Sequence, residues 1–314
     1  MSISFIITYH NEPSDTLLEC LQSIMALELR EDEYEMIVID DGSSTHPMED
    51  TRLQAIPVKY IRQTNQGISC ARNTGISHAS MQYIQFVDAD DALMTTAYSK
   101  VVDLLREEHP DAVMFDFTCE KPAPLTYKRR PATDGTTYMA RHNINGAVWS
   151  SVIKKEICHN LSFTPGTTYG EDEEFTARMM LRTKSFIRVF IKAYYYRQHP
   201  HSATHQLDWA SIEKRFDDNI GVIKRLRTLS LTLDKPKKAA LGRRTDQLTL
   251  DIIYNAARLT HDASYVEQLI RNLRKEGLFP VPLKAYTAKY VLLHVMTCGR
   301  RSRKMLCRIL SSKA

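Results

Sequence analysis

The chain has 314 residues, 43% of them hydrophobic and 25% charged, which is enough for one large globular domain or two smaller ones and excludes a disordered or collagen-like chain. Its net charge of +5 divides unevenly: residues 206–314 hold 22 Lys and Arg against 10 Asp and Glu, and residues 1–205 hold 20 against 27. Six cysteines without CxxC or zinc-ligand spacing argue against a disulfide or zinc scaffold, and no apolar run is long enough to span a bilayer.

The first 120 residues alternate strand and helix patterns. Ile3–Thr8 reads as a buried strand that starts without a basic leader, so a cytoplasmic protein without a secretory signal is expected. Pro13–Leu27 has apolar residues at helical spacing, and Tyr34–Ile39 is a second strand running into Asp40-Asp41-Gly42-Ser43-Ser44. Val58–Ile61 is a third strand, Ile68–Ser77 a helix, Gln82–Val87 a fourth strand, Thr95–Glu107 a helix and Ala112–Phe117 a strand. Such alternation predicts an α/β fold with an open, mostly parallel sheet flanked by helices.

From 121 to 205 the pattern is irregular. Lys121–Pro131 reads as a loop or hairpin, Trp149–Lys154 and Tyr194–Arg197 as short strands, and a helix starts at the acids Glu171–Glu174. Helices are expected over 209–229, 236–259, 262–276 and 284–310, so 206–314 reads as a basic helical region behind an α/β domain over 1–205.

Several nucleotide folds are excluded. The first glycine is Gly42, so the turn after strand one, Tyr9-His10-Asn11-Glu12-Pro13, cannot be a GxGxxG turn, and there is no Gly-Lys-Ser/Thr phosphate loop. What stands out is Asp88-Ala89-Asp90-Asp91, where an apolar strand drives into three acids. Clustered negative charge at the end of a buried strand calls for a counter-charge, and a divalent cation carrying a diphosphate supplies one.

Five segments in this order resemble family 2 glycosyltransferases with the GT-A fold, of the bacterial cell-surface polysaccharide type: Ser4–Glu12, Val38–Ser44, Asn65–Gly75, Asp88-Ala89-Asp90 and Gly170-Glu171-Asp172. The resemblance covers residues 3–205. It implies an inverting, metal-dependent hexosyl- or N-acetylhexosaminyl-transferase. Thr8, Tyr9, Asn11, Glu12, Asp41, Arg72, Asp88 and Ala89 would hold a nucleotide-sugar donor, most commonly a UDP-sugar, and Asp90 would take Mn²⁺ or Mg²⁺. Asp172 would be the general base, with Glu171 positioning it or the acceptor. Arg197 and His199, with His201 and Ser202 nearby, could close over the diphosphate. Trp149 could wall the acceptor, a glycan or lipid-linked glycan. A catalytically silent sugar-nucleotide binder is the main alternative. A nucleic-acid-binding module is disfavoured, because the basic tail carries no recognisable motif.

The span Ala285–Cys298 mixes apolar residues with Lys289 and His294, and no acid follows Glu276. Two readings stay open: a basic amphipathic helix lying peripherally on an anionic membrane, or an ordinary packed helix that mediates a homodimer.

Overall fold

The computed structural model describes residues 1–198 and 208–311. His199, together with His201 and Ser202, lies outside the described residues. The chain divides into two compact units, Met1–Gly135 with Asn145–Pro200, and Thr136–Ile144 with His201–Ala314. The sequence reading places 136–144 with the front part of the chain.

In the first unit the elements follow in chain order: β1 (Ile3–Tyr9), α1 (Ser14–Met25), β2 (Tyr34–Asp41), α2 (Thr51–Gln54), β3 (Lys59–Gln63), α3 (Ile68–His78), β4 (Tyr83–Asp88), β5 (Ala92–Leu93), α4 (Thr95–Glu108) and β6 (Ala112–Thr118). The short helix α5 (Gly135–Arg141) comes next and falls almost wholly in the second unit. Then follow β7 (Ser151–Lys154), α6 (Glu171–Met180) and β8 (Phe186–Tyr195).

These strands form one eight-stranded sheet in the order β3-β2-β1-β4-β7-β6-β8-β5. The first four in that order are mutually parallel, and β7 runs antiparallel between β4 and β6. β8 is parallel to β6, and β5 closes the edge antiparallel to β8. Six strands therefore point one way, and β5 and β7 oppose them. β1 is buried at every position, as a central strand covered on both faces must be. Leu17, Cys20, Leu21 and Ile24 of α1 make the apolar stripe that covers it. In α3, Gly75 lets the helix lie directly on β1, because a Cβ there would stand 2.2 Å from Ile6 Cγ2.

This order places a topological switch point between β1 and β4. The chain moves outward from β1 to β2 and β3, then returns to the other side of β1. The carboxyl ends of strands at such a reversal diverge and leave a crevice, where α/β folds bind ligands. Thr8 and Asp88 are register partners at that crevice, with Asp41 ending the neighbouring β2.

The second unit is helical: α7 (Trp209–Ser230), α8 (Lys235–Thr260), α9 (Ala263–Lys275), α10 (Ala288–Cys298) and α11 (Arg300–Ser311). Asp208, Asp234, Asp262 and Thr287 cap α7, α8, α9 and α10 by accepting from first-turn N–H groups. The single helix expected over 284–310 is two, because Gly299 adopts an extended backbone between α10 and α11. The strand expected from Trp149 begins instead as a short 3-10 turn over Val148–Ser150. Tyr194–Arg197, expected to be a short strand, includes the end of the ten-residue β8. Helix α5 has no counterpart among the expected elements. Its seven residues include two threonines and are too few to show a helical period.

Candidate active site

The site is built on strand ends. At the end of β4, Asp88 lies beside Thr8, whose hydroxyl donates to Asp88 Oδ1 at 3.5 Å. Ala89 continues the pairing through its N–H to the Thr8 carbonyl at 3.2 Å and is itself buried. Tyr9 is also buried, and its hydroxyl donates to the Glu12 carbonyl at 2.8 Å. Asn11 takes a left-handed backbone, φ 62°, and its side-chain carbonyl accepts from Ser44 N–H and Oγ–H, both at 2.8 Å. Tyr9 and Ala89 are thus packed in the core behind the strand ends, and Asn11 ties the turn after β1 to Ser44.

Asp41 is more committed than its motif suggests. Its carboxylate accepts from Gln63 Nε2 at 2.7 Å and from the backbone N–H groups of Gln66 and Gly67 at 3.0 and 2.7 Å. It fastens the turn that enters α3. Each oxygen of a carboxylate accepts two bonds, so acceptor capacity remains at Oδ2.

Arg72, in the first turns of α3, is only 2% exposed and joins three acids. Its guanidinium donates to Asp88 Oδ1 at 3.2 Å, to Glu171 Oε1 at 3.0 Å and to Asp172 Oδ1. It also lies over the Phe163 ring, 5.4 Å from the centroid. Burial opposes the Arg72 charge, but Asp172, Asp88 and Glu171 outweigh it and hold the guanidinium pKa above its ordinary value. Arg72, expected at the nucleotide, braces Asp88 on β4 to the acids opening α6.

Asp172 also accepts from Val148 N–H at 3.1 Å through Oδ2, so both oxygens of the candidate base are oriented. Glu171 is buried, and burial followed by the charge of Asp172 raises its pKa against the pull of Arg72. Gly170 before them takes φ 83°, which lets the chain turn into α6 with four acids at its positive end.

Asp91 stands ahead of α4 without capping it, since the N-terminal flank of that helix is Met94 with no side-chain cap. Asp91 is buried and accepts from the Tyr194 hydroxyl at 2.8 Å and from Arg197 N–H at 2.8 Å. The Tyr194 hydroxyl in turn accepts from Asp88 N–H at 3.1 Å. The acid loop is thereby clamped to β8 and to the chain leaving it. Arg197 Nε donates to the Asp90 carbonyl at 2.7 Å, and its guanidinium pairs with Glu19 of α1, which also binds Lys121 Nζ at 2.6 Å. Arg197, expected as a lid, is held at the rim of the acid loop.

Trp149 does not form an open acceptor wall. It is 8% exposed and stacks on Tyr194 and Tyr196, with centroids 4.5 and 5.7 Å away. Its packing makes it a support for the Tyr194 clamp. Tyr194 and Glu19 escape sequence reasoning because their hydrogen-bond partners lie 102 to 178 residues away. The one available signal was Tyr194-Tyr195-Tyr196 on a strand, whose alternation had to send Tyr194 and Tyr196 to the same face.

Among the described residues, Arg72 pairs with Asp88, Glu171 and Asp172, and Arg197 meets the acid loop at the Asp90 carbonyl and, through its backbone N–H, at the Asp91 carboxylate. Burial raises Asp88 and Asp91, and neighbouring carboxylates add to both shifts; Glu12 is raised by burial and by Asp90 and Asp88. The carboxylates crowd one another here, and their donors are all hard oxygens, which suits Mg²⁺ or Mn²⁺. Among the described residues no three His, Cys, Asp or Glu side chains form a ready cage. A cation here would take its other ligands from a diphosphate and water, as Mg²⁺ commonly does.

The sequence profile described as "Glycosyl transferase family 2" matches residues 4–170, over half the chain. The chain belongs to glycosyl transferase family 2. Its fold is the GT-A fold with a helical C-terminal region. Among solved structures, S. aureus TarS 1-349 in complex with UDP-GlcNAc superposes with a TM-score of 0.72 at 16% identity, covering 100% of this chain and 91% of that one. The mannosyltransferase PcManGT from Pyrobaculum calidifontis, in complex with GDP-Man and Mn²⁺, gives 0.56 at 14% identity, with 99% and 85% covered. The "Uncharacterized glycosyltransferase EpsJ" of Bacillus subtilis (strain 168) is 26% identical over 219 residues, 64% of this chain and 62% of EpsJ. The "Uncharacterized glycosyltransferase YibD" of Escherichia coli (strain K12) is 33% identical over 112 residues, 35% of this chain and 32% of YibD. The matches thus span less than two thirds of the length of these relatives. The family profile ends at Gly170, so Glu171 and Asp172 are placed in the site by geometry.

Proposed function

We propose that this family 2 member is an inverting glycosyltransferase of surface polysaccharide synthesis. It moves a hexosyl or N-acetylhexosaminyl group from a nucleotide-sugar, a UDP-sugar by preference, to a hydroxyl of a glycan or lipid-linked glycan. The observation that carries this reading is the Arg72 brace, which brings Asp88 at the switch-point crevice and Asp172 on α6 onto one guanidinium. TarS with UDP-GlcNAc and PcManGT with GDP-Man share the fold, and a teichoic acid poly(glycerol phosphate) polymerase of Staphylococcus epidermidis is 24% identical over 214 residues.

The roles follow from the placement. Thr8, Asp41 and Asp88 line the crevice for the nucleoside, with the remaining acceptor site of Asp41 available to a base N–H. Asp90 would hold Mn²⁺ or Mg²⁺, which when bound supplies positive charge to the departing diphosphate. Arg197, at the rim of the acid loop, adds a fixed positive charge for the same leaving group. Asp172 takes the proton of the acceptor hydroxyl as its oxygen bonds to the anomeric carbon. The bond from that carbon to the phosphate oxygen breaks, and its electrons leave on the diphosphate. A single displacement from the opposite face inverts the anomeric configuration.

The test is Asp172→Asn, assayed with a panel of UDP-sugars and Mn²⁺. Donor binding by thermal shift should persist while transfer falls by about 10²–10⁴-fold. Wild-type turnover by the variant would remove Asp172 as the base. Donor binding without transfer or hydrolysis by the wild type, across the panel, would favour a silent sugar-nucleotide binder. Chelation should abolish transfer and Mn²⁺ should restore it; unchanged activity in chelator would remove the metal.

A further inference from the structure

The C-terminal helices α10 and α11 present a surface that neither the donor site nor their own packing explains. Helix α10 turns Tyr290, Leu293 and Thr297 inward and leaves Leu292 and Val295 out, 61% and 56% exposed. Leu283, ahead of it, is also exposed. An apolar hollow of about 580 Å³ adjoins this face, lined by Ala285, Thr287, Ala288, Val291, Leu292 and Val295. Helix α11 turns Arg303, Leu306 and Cys307 inward and leaves Met305 57% exposed. Arg301 and Arg308 stand four residues before and three after Met305, on the same helical face, and Ile309 adjoins them. Arg303 is set apart by its pairing with Glu267 at 2.7 Å. Arg301, Lys304 and Arg308 are exposed and enter no ion pair among the described residues. No Asp or Glu occurs after Glu276.

We propose that these exposed faces of α10 and α11 bind the surface of an anionic lipid bilayer. These faces carry side chains of two kinds, aliphatic and cationic, and an anionic bilayer is the partner that takes both: hydrocarbon for Leu292, Val295 and Met305, acidic headgroups for Arg301, Lys304 and Arg308. A second copy of the chain fits poorly, since a self-matched face would set cations against cations with no acid on that stretch to separate them. The exposed large residues are aliphatic, without the stacking rings that single-stranded nucleic acid uses. No helix among the described residues is long and apolar enough to cross a membrane, so the contact is a lying-on one. The proposal deepens the lipid-linked-acceptor reading above by naming the surface that would bring the chain to its acceptor. It does not depend on the donor chemistry.

The experiment is flotation of the full chain with phosphatidylcholine vesicles, with and without phosphatidylglycerol. Binding is expected only with phosphatidylglycerol. Arg301→Glu/Lys304→Glu/Arg308→Glu should cut partitioning about hundredfold or more, at roughly fivefold per lost charge. Leu292→Ser/Val295→Ser/Met305→Ser should cut it about tenfold at constant charge. The control Lys235→Glu/Lys238→Glu, on the first turn of α8, should bind as wild type, as should Asp172→Asn. Recovery of the wild type in the soluble fraction at low salt would overturn the proposal. So would wild-type binding by the serine variant, which would mean adsorption by charge alone. A dimer in light scattering that Leu292→Asp splits would also overturn it, because a second copy would then cover the face. An Asp172→Asn protein that floats but does not transfer separates this proposal from the catalytic one.

Discussion

Arg72 Nη2 stands 3.2 Å from Asp88 Oδ1, and Nη1 of the same guanidinium reaches Asp172, a hundred residues further along the chain. One buried cation therefore decides whether the acid at the end of β4 and the acids opening α6 stay together. Arg72→Lys keeps the charge but cannot reach three carboxylates in a fixed fork. The variant leaves buried carboxylate oxygens without their donor, which should cost about 1–3 kcal/mol of stability and lower the melting temperature by several degrees. Scanning calorimetry together with transfer assays checks this. A melting temperature within a degree or two of wild type would mean that the three acids are not held by Arg72.

The Tyr194 hydroxyl links Asp91 to the backbone of Asp88. Tyr194→Phe orphans the Asp88 N–H and removes one of the two bonds to Asp91, which should cost about 1–3 kcal/mol. Because the loosened segment carries Asp88 and Asp90, the donor KM should rise several-fold while the acceptor KM stays put. Equal changes in both KM values would show a general loss of structure and not a loosened acid loop.

Gly75 is the contact point between α3 and β1. Gly75→Ala drives a methyl into Ile6 and should destabilise by about 1–3 kcal/mol, the usual range for overpacking. Ile6→Ala in the same chain removes the Cγ2 that the new methyl would strike, so the double variant should be more stable than the sum of the two single changes predicts. Strictly additive urea-unfolding energies would place the clash elsewhere.

Asp246 of α8 gives the helical unit a pH dependence. Burial raises its pKa to about 6, against the downward pull of Arg227, Tyr286 and Lys284. The folded state thus holds this proton more tightly than the unfolded chain, whose value is the ordinary 3.8. Stability from this group is full below about pH 4 and declines as pH rises through about 6. Asp246→Asn removes that slope, so the variant should gain in melting temperature relative to wild type on going from acidic to neutral pH. A difference that stays constant with pH would show that Asp246 is not buried in this way.

Much of the site was legible locally. Asp41 and Asp88 end apolar strands, Arg72 follows a glycine at a helix start, and Glu171 and Asp172 open a helix, all patterns set by the periods of two and 3.6 that neighbouring residues impose. The break at Gly299 was also there to be read, as a glycine between the apolar run that ends at Cys298 and the arginines that open α11. Helix α5 and the short β5 are too brief to show a period.

The sequence by itself determined the family, the order of the strand ends and the acids they carry, because each of these depends on residues close along the chain. Only the tertiary structure decided what those acids do to one another. Arg72 became a brace because the sheet order sets β4 beside β1 and brings α6 against α3. Asp91 became a clamp because β8 returns beside β6 and delivers Tyr194 to it. Trp149 went inward because its stack with Tyr194 and Tyr196 buries more ring surface than an open wall would. Partners about a hundred residues apart, such as Arg72 with Asp172 and Asp91 with Tyr194, are fixed by packing and by the demand that every buried charge be met, and no local pattern encodes that choice.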